Sequence, residues 1–253
     1  MSELLKQYER LLLQRDTLRK EADSNEARYL HEFGEELTAA FEVKVACIRT
    51  KKTLAFCQAS VNRGEAIDLN ALTRSVEAAM SPYYAQLEGL RHAEEACREL
   101  KYTDTLTVTR VKKLYRTLAK SLHPDLHPEL AENEAVRELW SRIVESYDEN
   151  DLEALEEFSV TASTLLSELG CESDLPEPEN LEERIASVQE EIDTITSTDP
   201  WLYGELLDDP EATGEKHHAL QEELKSWQDY LNLLNERLKE LLKGGNPLTW
   251  QTN

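Results

Sequence analysis

His123, Pro124 and Asp125 are consecutive in this chain of 253 residues, so an imidazole and a carboxylate flank a ring that stiffens the backbone. On a loop, such a triplet holds a hydrogen-bonding base and a charge where a partner can meet them. The residues before it carry a second chemistry. Positions 105 to 124 contain no Asp or Glu, yet Arg110, Lys112, Lys113, Arg116 and Lys120 all fall there. In a chain with 51 acidic and 28 basic residues this is a local reversal of sign. Lys112, Arg116 and Lys120 recur at four-residue steps and line one face of a helix, with Lys113 beside them.

Other reactive side chains make weaker patterns. His127 follows His123 at the spacing of zinc ligands on a helix, but Pro124 and Pro128 break the helix such a pair needs, and no metal site is expected. His217 and His218, near a helix start, read as surface residues. The cysteines at 47, 57, 97 and 171 are too scattered for a metal knuckle and too few for a stapled secreted scaffold, so they read as small core residues. There is no nucleophile-base-orienter set, no P-loop and no Gly-rich cofactor turn. Neither an enzymatic activity nor a cofactor is expected.

The elements that hold these residues are helices. Gly and Pro number eight each while Leu, Glu and Ala dominate, which favours an all-α fold. Leu4, Tyr8, Leu11, Leu18 and Ala22, then Leu37, Phe41, Val45, Ile48 and Phe56, keep helical spacing. Asn62-Arg63-Gly64 reads as a helix stop, Asp68 as a cap, and Ser81-Pro82 as the cap and first turn of a further helix. Val111, Leu114, Tyr115, Leu118 and Leu122 form the apolar stripe of the basic helix. Val136, Trp140, Ile143 and Tyr147 form that of its successor, which ends near Asn150 before Asp151 caps another. Gly170 to Glu179, with two prolines among acidic residues, reads as a linker. Beyond it, Leu181, Ile185, Val188, Ile192 and Ile195, then Leu220, Leu224, Trp227, Leu231, Leu234, Leu238 and Leu241, keep heptad spacing on either side of a break at 199 to 210. An antiparallel hairpin stopped at Gly244-Gly245 is the simplest arrangement. Trp201, Tyr203, Leu206 and Leu207 in the break serve equally as packing or as an exposed apolar patch.

Val111 through Asp125, read as VKKLYRTLAKSLHPD, resembles the second helix and signature loop of J-domains, the DnaJ family, and Trp140, Ile143, Ser146 and Tyr147 match the spacing of that family's third helix. The likeness covers residues 108 to 150. It implies a co-chaperone whose basic helix, with Lys112, Lys113, Arg116 and Lys120, docks on an acidic surface of a DnaK-type chaperone of the seventy-kilodalton heat-shock class. His123, Pro124 and Asp125 would then trigger ATP hydrolysis by that partner. The family's Tyr-Tyr and Leu-Gly-Val pattern is missing from residues 99 to 107, and a helix through Leu90, Cys97 and Leu100 is expected to substitute as packing partner, somewhat as in auxilin-type J-domains. The family's Gly/Phe-rich linker and Cys-rich zinc domain are also missing, which implies the divergent, J-domain-only class.

The expected organisation is therefore a J-domain hairpin embedded between long amphipathic or coiled-coil helices. It comprises an amino-terminal arm at 1-81, a J-domain with extended first helix at 82-170, a linker at 171-179 and a carboxyl-terminal hairpin at 180-245. A net charge of -23 argues against nucleic acid or an anionic membrane surface as the main partner. The lack of an apolar leader or of a membrane-length apolar run points to the cytoplasm. Clients met through the flanking helices and self-association through the coiled coils stay open, as does whether the acidic arms cover the basic face. The alternative to a co-chaperone is a coiled-coil scaffold or adaptor whose J-like hairpin activates nothing.

Overall fold

The computed structural model describes residues 2–99, 105–170 and 180–244. Among them are eight α-helices, one short 3-10 turn and no strand, so the chain is all-α as its composition predicts. Contacts divide it into two compact units, residues 1–25 with 101–203, and residues 26–100 with 204–253. This division cuts across the arm, J-domain and hairpin boundaries expected from the sequence.

The first helix, α1, runs Glu3–Arg63 without a proline. It stops at Gly64, whose φ of 69° few residues other than glycine adopt, and the Gly64 and Glu65 amides bond back to the Val61 and Ser60 carbonyls. Its residues up to Asn25 belong to the first unit, together with α3 (Thr105–Leu122), α4 (Glu134–Asp148), α5 (Leu152–Glu168) and α6 (Leu181–Ser197). Asn133 caps α4 by accepting from the Ala135 and Val136 amides, and Asp151 caps α5 by accepting from that of Ala154. Capping at both positions lets α3, α4 and α5 turn sharply and bury Val111, Tyr115, Leu118, Leu122, Ile143 and Leu155 in one core. Tyr115 and Tyr147 stack in it with ring centroids 3.9 Å apart.

The second unit holds α1 from Glu26 onward, α2 (Leu69–Glu99), α7 (Tyr203–Asp208) from Gly204 and α8 (Pro210–Gly244). Asp68 caps α2 as expected, accepting from the Asn70 and Ala71 amides. Ser81-Pro82 starts no helix, because α2 runs straight through Pro82. Pro82 faces solvent while Met80 is fully buried against Val45 and Val76, and that packing offsets the backbone bond a helical proline forfeits. Gly34 lets α2 approach α1 closely, since a Cβ there would lie 3.0 Å from Glu94 Cγ.

The two heptad segments fall in different units. In the first unit Val188 and Ile192 of α6 bury against Tyr8, Leu11 and Leu12 of α1. In the second, α8 lies on α1 with the Cys47 thiol donating to the Trp227 carbonyl. Heptad spacing states that a stripe needs a partner, and the long stripe of α1 supplies one in each unit. Trp201, Tyr203, Leu206 and Leu207 are half-buried, and Leu202 beside them is exposed. Cys47 and Cys57 are core residues, whereas Cys171, the linker at 171–179 and Gly245 lie outside the described residues.

Candidate functional site

The basic helix and the His-Pro-Asp triplet come together as their spacing predicts, in the first unit. Pro124 ends α3, and the chain turns with the Leu126 and His127 amides bonded to the His123 carbonyl. Leu126 pins this turn by burying against Tyr8 and Leu12 of α1, and Leu130 adds a second anchor in the core of α3, α4 and α5. The loop is thus fixed from below by two leucines to which its spacing alone gave no role.

His123 is turned inward, its side chain only 6% exposed, with its ring edge-on to Trp140 at 5.0 Å. The Asp125 amide donates to His123 Nδ1 at 3.0 Å, so the neutral ring carries its proton on Nε2. That nitrogen faces Asp16 Oδ2 at 3.6 Å. Arg15 Nη2, 3.4 Å from the same Nε2, cannot donate to a protonated nitrogen and instead pairs with Asp16 Oδ1 at 2.9 Å. Arg15 also reaches Asp125 Oδ2 and Glu191 Oε2, each at 3.5 Å, while Tyr115 donates its hydroxyl to Asp16 Oδ2 at 2.9 Å.

Asp16 and Arg15 therefore form a nearly buried hub with side chains 11% and 9% exposed. Burial alone would raise the Asp16 pKa, but the facing His123 imidazole and the Arg15 charge outweigh it and hold the carboxyl below its ordinary value. Burial, with the Asp16 carboxylate added, pushes the Tyr115 phenol well up. Lys20 closes the other end of the hairpin by donating to the Tyr147 carbonyl and, at 2.8 Å, to Asn150 Oδ1. Burial lowers its pKa to about 8.

The four basic residues expected to act together do share a face of α3, where they border one groove with Thr109 and Thr117. They are not equivalent. Lys112 pairs with Glu21 at 3.1 Å and Lys120 with Glu9 at 2.8 Å, both carboxylates being on α1. Lys113 and Arg116 are exposed and carry no ion pair among the described residues. The acidic arm thus covers half of the basic face and leaves half open.

Within the first unit the helix that backs the hairpin is α1, where the sequence suggested one through Leu90, Cys97 and Leu100. Leu90 and Cys97 are on α2, in the other unit, and Leu100 lies outside the described residues. The missed signal is in the register of α1. Tyr8, Leu11, Leu18 and Ala22 follow steps of three and four residues only if Arg15 stands between them, so a cation occupies an apolar stripe. A charge there needs a buried partner, and Asp16 together with the loop provides it.

His217, expected on the surface, is partly exposed in the second unit, where it is held between Glu36 Oε2 at 2.6 Å and Glu32 Oε1 at 3.0 Å. No group of three or more His, Cys, Asp or Glu with the geometry to hold a metal ion occurs among the described residues. No described helix is long and apolar enough to cross a membrane. No family model, curated protein or solved structure matches the chain. What fold and site define is thus an all-α protein with a fixed His-Pro-Asp turn beside a half-open basic helix.

Proposed function

We propose that this protein is a cytoplasmic J-domain co-chaperone, not itself an enzyme, that docks on a DnaK-type chaperone and stimulates its ATP hydrolysis. The observation that carries the reading is the pairing of an open cationic strip, Lys113 and Arg116, with a rigid His-Pro-Asp turn on the same helical hairpin. A cationic strip steers an acidic partner into register, and exposed pairs give a weak, quickly reversed complex. Asp125, with its side chain 43% exposed, is the group of the turn best placed to hydrogen-bond the partner. The ATP chemistry belongs wholly to that partner.

The inward His123 and its contacts with α1 favour a second reading, in which the hairpin serves as a scaffold element and activates nothing. Single-turnover ATP hydrolysis by a DnaK-type chaperone from the same cell separates the two. Stimulation that vanishes in Asp125→Asn and His123→Gln and declines with salt is expected of a co-chaperone. No stimulation by the unaltered protein would establish the scaffold.

A further inference from the structure

The α1 segment of the first unit does more than back the loop. Lys6 and Arg10, one helical turn apart on its outer side, face Arg116 and Lys120 of α3 across a groove of about 590 Å³. Leu13 and Leu18 also line this groove, giving it an apolar part. Four cations and one carboxylate, Glu9, border it in a chain whose net charge is -23. Glu9 is already taken by Lys120 at 2.8 Å, and Lys6 has only a longer contact of 3.4 Å with Glu3 in the preceding turn. Arg10 and Arg116 are exposed and make no ion pair among the described residues.

We infer that this groove seats an acidic, partly apolar segment of the chaperone partner, so that the docking surface spans α1 and α3 and includes Lys6 and Arg10. The inference rests on the co-chaperone reading and extends its basic face beyond α3. Charge complementarity selects the occupant's carboxylates, and the two leucines select an apolar side chain between them. A protein segment fits better than a nucleic acid, because a long polyanion would meet the repulsion of the surrounding acidic surface and gain little from leucine. The arm that takes up Lys112 and Lys120 with its carboxylates thereby returns cations of its own to the same surface.

The test uses the full chain carrying both Lys6→Glu and Arg10→Glu, titrated against the DnaK-type chaperone in the single-turnover assay. Both side chains are exposed, so the fold should survive, and circular dichroism checks that it does. The expected result is a half-maximal concentration raised about tenfold at low salt with an unchanged maximal rate, because two attractions are lost and two repulsions gained. Lys6→Gln with Arg10→Gln should move it in the same direction by less, and moderate salt should shrink both shifts.

If the unaltered protein stimulates, Asp125→Asn does not, and the double charge reversal leaves the half-maximal concentration in place, the composite groove is overturned while the co-chaperone reading stands. Absence of stimulation by the unaltered protein overturns both. Binding of a short single-stranded oligonucleotide by the unaltered protein, lost in the double variant, would overturn the choice of a protein occupant.

Discussion

The same helix uses its charges in opposite ways in the two units. Up to Asn25, α1 turns Arg15 and Asp16 into the protein, where they meet a histidine, a tyrosine and two further carboxylates. From residue 26 onward its ion pairs lie open, as between Arg49 and Glu77, whose side chains are 54% and 43% exposed. Removal of one member of a buried cluster strands its partners without water, whereas removal of one exposed charge lets water take its place. The first kind of network fixes geometry and the second adds little. It is the first kind that sits beneath the candidate functional loop.

The sharpest way to break this contrast is Asp16→Ala. It leaves the Arg15 guanidinium, the Tyr115 hydroxyl and the His123 ring without their common acceptor, and the expected cost is about 3 kcal/mol or more. Denaturant titration measures the loss, and amide exchange across 122–130 should show the loop opening before the helices. The pH dependence has a definite sign. The folded Asp16 pKa lies below its unfolded value, so its stabilisation is present above about pH 3.9 and is lost as pH falls through the folded pKa. A loss below about 1 kcal/mol would mean that the hub is solvated after all.

How much of this was legible beforehand follows the same division. Apolar periodicity gave the all-α class, and the Gly64, Asp68, Asn150 and Asp151 signals gave helix ends that the backbone confirms. These are local effects, set within a few residues. The charge-free-of-acid window from 105 to 124 placed Lys112, Lys113, Arg116 and Lys120 on one face, as they are. Partner choice was not legible. An apolar stripe looks the same whether it meets its sequence neighbour or a helix more than a hundred residues away, so α6 and α8 read as a hairpin, though each packs on α1. Arg15 was the readable exception, because a cation inside a stripe announces a buried partner without naming it.

His217 lies between the extremes, half-buried but doubly bonded. Its pKa is raised by the hydrogen bond to Glu32 first and that to Glu36 second, both of which favour the imidazolium. Its contribution is therefore fully present below the unfolded pKa of about 6.5 and disappears as pH rises through the higher folded pKa. Solvent near the ring screens the pair, and less than about 1 kcal/mol is expected. His217→Gln should flatten the stability of the second unit between mildly acidic and mildly alkaline pH. A wild-type profile already flat there would place His217 with the open ion pairs.

The smallest effect completes the contrast from its other side. Arg49→Ala removes a partner 2.7 Å from Glu77, a shorter contact than any of those made by Arg15 with Asp16, Asp125 and Glu191. Distance alone would rank it as the stronger interaction. Exposure reverses that order, because both side chains are already solvated and lose rotamer freedom when they pair, so the expected change is about 0 to 0.5 kcal/mol, shrinking further with salt. Parallel denaturation of Arg49→Ala and Asp16→Ala compares the two directly. Equal losses would show that burial does not govern these networks, and that the hub beneath the His-Pro-Asp loop is no more fixed than an ordinary surface pair.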